Sequence, residues 1–292
     1  MTPTPTTAAP QALPSELVLG AVRLRVRDAA RSVAFYTRTV GLSVLGEANG
    51  LVQLGAGGQT LIELEVAPDA PVRPRGTTGL FHVAILVPDR PALAVVLRRL
   101  IAQQIPIGAS DHLVSEALYL DDPDGNGIEI YRDRQPSEWR WQGKTIEMAT
   151  QPLDMRAVLA ELPGTATLET PMPAGTIIGH VHLQVGALEA AHRFYVDTLG
   201  FDLTTDRYPG ALFVSAGGYH HHLGLNIWHS RGGSAAPAGS TGLVHYEIVL
   251  PNVDAVNAVA DRLARAGVEV QRSAEAFSVA DPWGTVARVK AA

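Results

Sequence analysis

The chain repeats itself, and the repeat limits its fold more than any other feature. AVRLRVRDAARSVAFYTRTVGL, from Ala21, aligns with HVHLQVGALEAAHRFYVDTLGF, from His180, at a constant offset of 159 residues. Phe35, Tyr36 and Gly41 match Phe194, Tyr195 and Gly200. HVAILVPDRPALAVVLRRL, from His82, matches HYEIVLPNVDAVNAVADRL, from His245. Pro88 and Pro251 stand six residues after the His, and Leu100 and Leu263 eighteen after it. Asp122-Pro123-Asp124-Gly125 has its counterpart in Asp281-Pro282-Trp283-Gly284. The chain is therefore four short units in the order A, B, A′, B′.

Each unit opens with an alternating apolar strand such as VRLRV or VHLQV. A helix-period segment follows, AARSVAFYTRTV in unit A, stopped by Gly41. Three strand-like runs come next: LSVLG, GLVQLG and TLIELEV in A, and FDLTT, ALFVSAG and HHLGLNIW in A′. The pattern is β-α-β-β-β and the class is α+β. One helix covers one sheet face and leaves the other bare, so units must pair, giving two curved-sheet cups. Residues 1–16, rich in Thr, Pro and Ala, read as a disordered lead. The boundaries follow as 17–149 for A and B, 150–176 for a linker with a short helix in PLDMRAVLAEL, and 177–292 for A′ and B′.

The 292 residues are 46% hydrophobic, enough for real cores. A net charge of −6 argues against nucleic acid and acidic membrane as partners. No run approaches the ~18 apolar residues of a membrane span. A cytoplasmic protein is the expectation, and a homo-oligomer is compatible with the sequence. The absence of cysteine removes disulfides, thiolate ligands and a cysteine nucleophile together. Ten His against no Cys is the compositional oddity, with His220, His221 and His222 consecutive.

A β-α-β-β-β unit with Phe-Tyr, three residues, then an aliphatic residue and Gly after its helix resembles the vicinal oxygen chelate superfamily. That superfamily contains glyoxalase I, bleomycin-resistance proteins and type I extradiol dioxygenases. The resemblance spans nearly all of residues 18–290. SDHLVSEALYLDDPDGNGIEIY, residues 110–131, is similar to the extradiol signature in order and spacing: His112, Leu118, Tyr119, Asp122, Pro123, Gly125 and Glu129. It departs at Ser110, where the signature has other small or aliphatic residues. The resemblance is strongest to bacterial catechol 2,3-dioxygenases, and it implies an oxidoreductase of aromatic catabolism that takes a small catecholic substrate and O2.

In that superfamily the metal ligands sit on the first and last strands of the units, facing the cavity. Strand parity supplies an independent check. Phe81, Val83 and Ile85 form an apolar face and leave His82 opposite; Val181, Leu183 and Val185 leave His180 and His182; Ile128 and Ile130 leave Glu129. Unit A has Ala21 where A′ has His180, and B′ has Arg288 where B has Glu129. Pairing B with A′ gives His82, His180 and Glu129, the two-His, one-carboxylate set of non-haem Fe(II) oxygenases, which Mn(II) also accepts. Serial pairing is the competing arrangement; it would put His245 with His180 and His222.

The resemblance gives His112 and Tyr119 places beside the substrate. It implies a further acid–base His on the last strand of A′; parity puts His220 and His222 on one face and His221 on the other, and His222 is preferred, with His220 second. Two other functions remain open on the same scaffold. A glyoxalase-like isomerase or thiol transferase would favour two carboxylates or a Gln among four ligands. A metal-free binder of small aromatics would tolerate loss of His82.

Overall fold

The computed structural model describes residues 12–48 and 50–292. Unit A runs through β1 (Val18–Val26), α1 (Ala29–Ala34) with a π-helical turn over Phe35–Val40, β2 (Ser43–Ala48), β3 (Leu51–Ala56) and β4 (Gln59–Val66). Unit B has β5 (Gly79–Leu86), α2 (Arg90–Ala102), β6 (Gly108–Asp111), β7 (Ser115–Asp121) and β8 (Gly127–Asp133). Between the halves lie β9 (Trp141–Gln142), β10 (Thr145–Ile146), β11 (Gln151–Pro152) and α3 (Met155–Leu159). Unit A′ comprises β12 (Ile177–Gln184), α4 (Leu188–His192) with a π-helical turn over Arg193–Thr198, β13 (Asp202–Thr205), β14 (Ala211–Ser215) and β15 (Leu223–Asn226). Unit B′ comprises β16 (Gly242–Leu250), α5 (Val253–Arg265), β17 (Gln271–Arg272), β18 (Ala276–Ala280) and β19 (Val286–Ala291). Asp89 and Asn252 cap α2 and α5, accepting from the amides of Ala92 (2.8 Å) and Ala255 (2.9 Å).

The units pair crosswise. Strands of A and B′ make one eight-stranded sheet, β17-β18-β19-β16-β1-β4-β3-β2. B and A′ make most of the other, β11-β6-β7-β8-β5-β12-β15-β14-β13. Antiparallel β5 and β12 join B to A′, and His182 lies opposite His82. Serial pairing of the sheets, and with it a site built from His245, is thereby excluded: His245 lies in the first sheet, opposite Arg23. There the ligand-equivalent positions hold Ala21, His245 and Arg288. Arg288 turns to Glu247 (3.8 Å), which also takes Lys290 (2.6 Å).

Helices and turns, by contrast, join in serial order. Tyr36, from the repeated Phe-Tyr pair, donates its hydroxyl to Asp122 Oδ2 at 3.0 Å, and Tyr195 does the same to Asp281 Oδ2 at 3.0 Å. Both pairs are separated by 86 residues. Arg99 of α2 donates to the Val40 carbonyl (2.8 Å), and Arg262 of α5 to that of Leu199. Arg99 also holds the carbonyls of Leu168 (2.8 Å) and Thr170, so the linker is pinned to α2. Gly41 ends the first helix at φ 99°, and a Cβ there would strike the Arg99 guanidinium. Leu13 is buried, and its amide donates to Gly200 O at 2.9 Å, so packed chain begins ahead of the expected boundary at residue 17. The remainder of the expected lead, residues 1–11, lies outside the described residues.

Candidate metal centre and cavity

Alternation along β12 places Val181 and Leu183 in the core, with Val185 just beyond the strand, and turns His180 and His182 to the concave side. Ile128 and Ile130 do the same for Glu129 on β8. Two bulges adjust this simple parity. Ile178 pairs with Ile85 but His180 with Ala84, leaving Gly179 as the extra residue. A Cβ on Gly179 would overlap the Tyr131 hydroxyl, so only glycine lets β12 approach this closely. On β5, His182 pairs with His82 but Leu183 with Leu80. Phe81 is therefore bulged out. It lines the cavity beside His82 instead of joining Val83 and Ile85 in the core, which corrects its expected place.

Three ligand-type atoms converge. His82 Nε2 lies 2.9 Å from Glu129 Oε2, His180 Nε2 lies 3.0 Å from the same oxygen, and the two nitrogens are 3.3 Å apart. All three residues are buried. Ligand atoms on one face of an octahedral ion with bonds of about 2.1 Å stand about 3.0 Å apart. The observed triangle has that edge length, so the residues fit an Fe(II) or Mn(II) ion with one face left open. Burial pushes the Glu129 carboxyl up, but the His180 and His82 imidazoles outweigh it and hold the group well below the usual carboxylate range. Burial pushes His180 down against the pull of Glu129, which favours the neutral form a ligand requires.

The triad forms part of a cavity of about 260 Å³. His112 and Tyr119 also line it. His112 sits in the β6–β7 turn, where Leu113 adopts φ 69°. Its Nδ1 donates to the Ala149 carbonyl (2.7 Å), so its Nε2 accepts from the Tyr119 hydroxyl (2.7 Å). Tyr119 stands opposite Glu129 across the β7–β8 pair. Burial and the nearby Glu129 raise its hydroxyl well above the usual range.

The His triplet is arranged differently from its parity. The strand begins at Leu223, so His220–His222 lie in the preceding turn and alternation does not apply. His222 faces away from the cavity: its Nδ1 accepts from the Ala216 amide (3.2 Å) and lies 3.0 Å from Ser215 Oγ. The preference for His222 is corrected on that geometry. His221 lines the cavity and packs against His180, with ring centroids 4.1 Å apart and planes tilted by 48°. Its Nδ1 meets His220 Nδ1 at 2.7 Å, and His220 Nε2 meets Asp133 Oδ1 at 2.8 Å. His220, expected second, is thus a buried link behind His221 rather than a cavity residue. Nothing in the sequence pattern singled out His221 or Asp133.

The other side of the cavity is aromatic. Phe81 lies 5.3 Å from Trp228, Trp228 6.1 Å from Tyr208, and Tyr208 6.0 Å from Phe213, centroid to centroid. His182 packs against Phe81, Trp228 and Phe213 at 5.1, 5.4 and 5.5 Å. Its buried Nε2 makes no hydrogen bond, and the residue stands outside the converging triad. Met148 and Thr150, from the segment after β10, complete the wall. Such a lining suits a small aromatic molecule.

The Glyoxalase/Bleomycin resistance protein/Dioxygenase superfamily profile matches residues 18–130 and 177–289, most of the chain and two units at each match. The chain belongs to that superfamily. Within the superfamily it is 45% identical over 269 residues to a catechol-2,3-dioxygenase of Bacillus subtilis (strain 168), covering 90% of this chain and 93% of that protein. A solved Bacillus subtilis subsp. subtilis str. 168 structure, provisionally described as a dioxygenase, superposes with a TM-score of 0.67 at 15% identity, over 97% of this chain and 86% of that one. Glyoxalase I from Zea mays superposes with a TM-score of 0.58 at 18% identity, over 94% and 92%. At these identities the structural likeness shows the fold. The superfamily member described here is extradiol-dioxygenase-like, with a buried His–Glu–His cluster suited to Fe(II). Among its described residues no helix is long and apolar enough to cross a membrane.

Proposed function

We propose that the chain opens catechol rings beside the diol, inserting both atoms of O2. The observation that carries this reading is the triangle of His82 Nε2, His180 Nε2 and Glu129 Oε2 on the wall of an aromatic cavity. Bound there, Fe(II) would supply sites for the diol and for O2 and pass electron density between them.

The chain's own groups orient the ring and handle protons. Tyr119 is placed to hydrogen-bond a substrate oxygen. His112 Nε2 accepts from that hydroxyl and so fixes its direction. Burial and the neighbouring imidazoles push His221 well below its ordinary range, so it stands neutral on the cavity wall with a lone pair for the proton of the diol, and its Nδ1 contact leads through His220 to Asp133, whose side chain is 21% exposed. A glyoxalase-like reaction is less well supported, because Glu129 is the sole carboxylate lining the cavity among the described residues. A metal-free binder would gain nothing from two imidazoles and a carboxylate packed this closely. The proposal includes action in the cytoplasm and without nucleic acid; the net charge of −6 supports the second.

Anaerobic loading with Fe(II), then catechol and air, should give a yellow ring-fission product with one O2 consumed per catechol. Iron-loaded protein that turns over no catechol would overturn the reading. Glu129→Ala and His82→Ala should each lose bound iron while keeping their circular dichroism; full iron in both variants would reject this ligand set.

A further inference from the structure

Behind His221 runs a line of hydrogen bonds in which each proton can be placed. Asp133 closes β8 in unit B, and its carboxylate can only accept. Its Oδ2 takes the Tyr219 hydroxyl at 2.9 Å, and its Oδ1 lies 2.8 Å from His220 Nε2. His220 therefore carries a proton on Nε2. As a neutral imidazole it then offers a lone pair at Nδ1, 2.7 Å from Nδ1 of His221. Two lone pairs cannot face each other across so short a gap, so His221 must bring the proton on its own Nδ1. The nitrogen left over for the cavity that His221 lines is Nε2, and it is bare. The reverse order would set a lone pair of His220 against a carboxylate oxygen. Packing opposes a ring flip at either residue. His220 is fully buried against Tyr219 and Trp139, at centroid distances of 4.1 and 5.2 Å. His221 lies against His180 and Phe213, at 4.1 and 4.9 Å.

We infer that Asp133 is a positioning residue: acting through His220, from the opposite half of the chain, it fixes His221 as the Nδ1–H tautomer and so presents a bare Nε2 to the cavity. The tautomer is independent of any reaction. Its use in catalysis rests on the ring-opening reading, in which His221 receives a proton and does not offer one.

Nitrogen NMR of the full chain, with labelled histidine and diamagnetic Zn(II) in place of iron, reads the tautomer at about pH 9, above the ordinary imidazole range. The His221 signals are those missing from His221→Phe. In the parent, His221 should show a protonated Nδ1 and a bare Nε2. An Nε2–H tautomer there would overturn the inference and leave the ring-opening reading intact. Asp133→Leu leaves His220 without an acceptor to orient it, so both tautomers of His221 should become populated. An unchanged His221 spectrum in the folded variant would equally overturn the inference; should the variant not fold, the parent spectrum still decides. On the iron-loaded enzyme, Asp133→Leu should keep its iron and its KM for catechol while kcat falls at least about tenfold. Iron lost in step with kcat would mark a merely structural role and count against it. A parent that cleaves no catechol would sink the ring-opening reading and leave the NMR result standing.

Discussion

A proton offered to His222 has to enter a site whose Nδ1 lone pair is already taken by the Ala216 amide. Burial, reinforced by His220 and His180 nearby, drives this imidazole down to about 3. The unfolded chain binds the proton near 6.5 while the folded chain does not, so stability falls as pH drops through that window. The slope from this one residue is about 1.4 kcal/mol per pH unit. His222→Asn should therefore show a shallower loss of Tm than the parent between pH 6.5 and 4, measured by thermal scans at a series of pH values. The proposed proton-handling role gives its neighbour the opposite expectation. His221→Phe should keep iron and fold yet lose roughly 100-fold in kcat, the usual worth of a positioned acid–base group. His222→Asn should stay within a few-fold of the parent. Equal kcat losses in the two variants would remove His221 from the proton-handling role.

At the scale of elements, the paired motifs act as fasteners. Asp122 accepts from Tyr36, from the Asn126 side chain and from the amides of Asp124 and Asn126, which satisfies a carboxylate that burial would otherwise penalise. Tyr36→Phe should cost about 1–2 kcal/mol in urea unfolding, and Tyr195→Phe a similar amount. The double variant should show the sum, because the two fasteners are separate. These motifs explain why so much of the architecture was legible in sequence: within each half, the Phe-Tyr pair of the first unit and the Asp-Pro turn of the second recur at fixed spacing because the two must meet. The ligand set was legible because Ala21 and Arg288 break the repeat where a metal ligand would stand. The bulges at Gly179 and Phe81 were not, since an inserted residue shifts parity without changing composition. His221 escaped for a related reason, as alternation was extended into a turn that precedes the strand. Tyr208 and Met148 come from segments with no periodicity, Trp228 lies just past the end of β15, and only tertiary packing brings all three to the cavity wall.

Over the whole molecule, two kinds of connection hold the halves. Turns and helices link A to B and A′ to B′, while the sheets link A to B′ and B to A′. The triad straddles that second seam, with His82 and Glu129 from one half and His180 from the other. A protease cut between Pro163 and Thr167, an exposed stretch of the linker, should leave a complex that elutes as one species and retains iron. Residues 1–149 produced alone should bind none, as read by metal analysis after desalting. The crossed arrangement also sets a schedule for synthesis. A ribosome that has released only the first half has released two open sheet edges, β1 and β5, whose partners are still unmade. The cup that holds the triad closes only after β12 and β15 emerge, and the edge of β1 waits longer still, for β16. Slow translation through the linker would prolong that exposure, making the newborn chain most vulnerable to aggregation just before its chemistry becomes available.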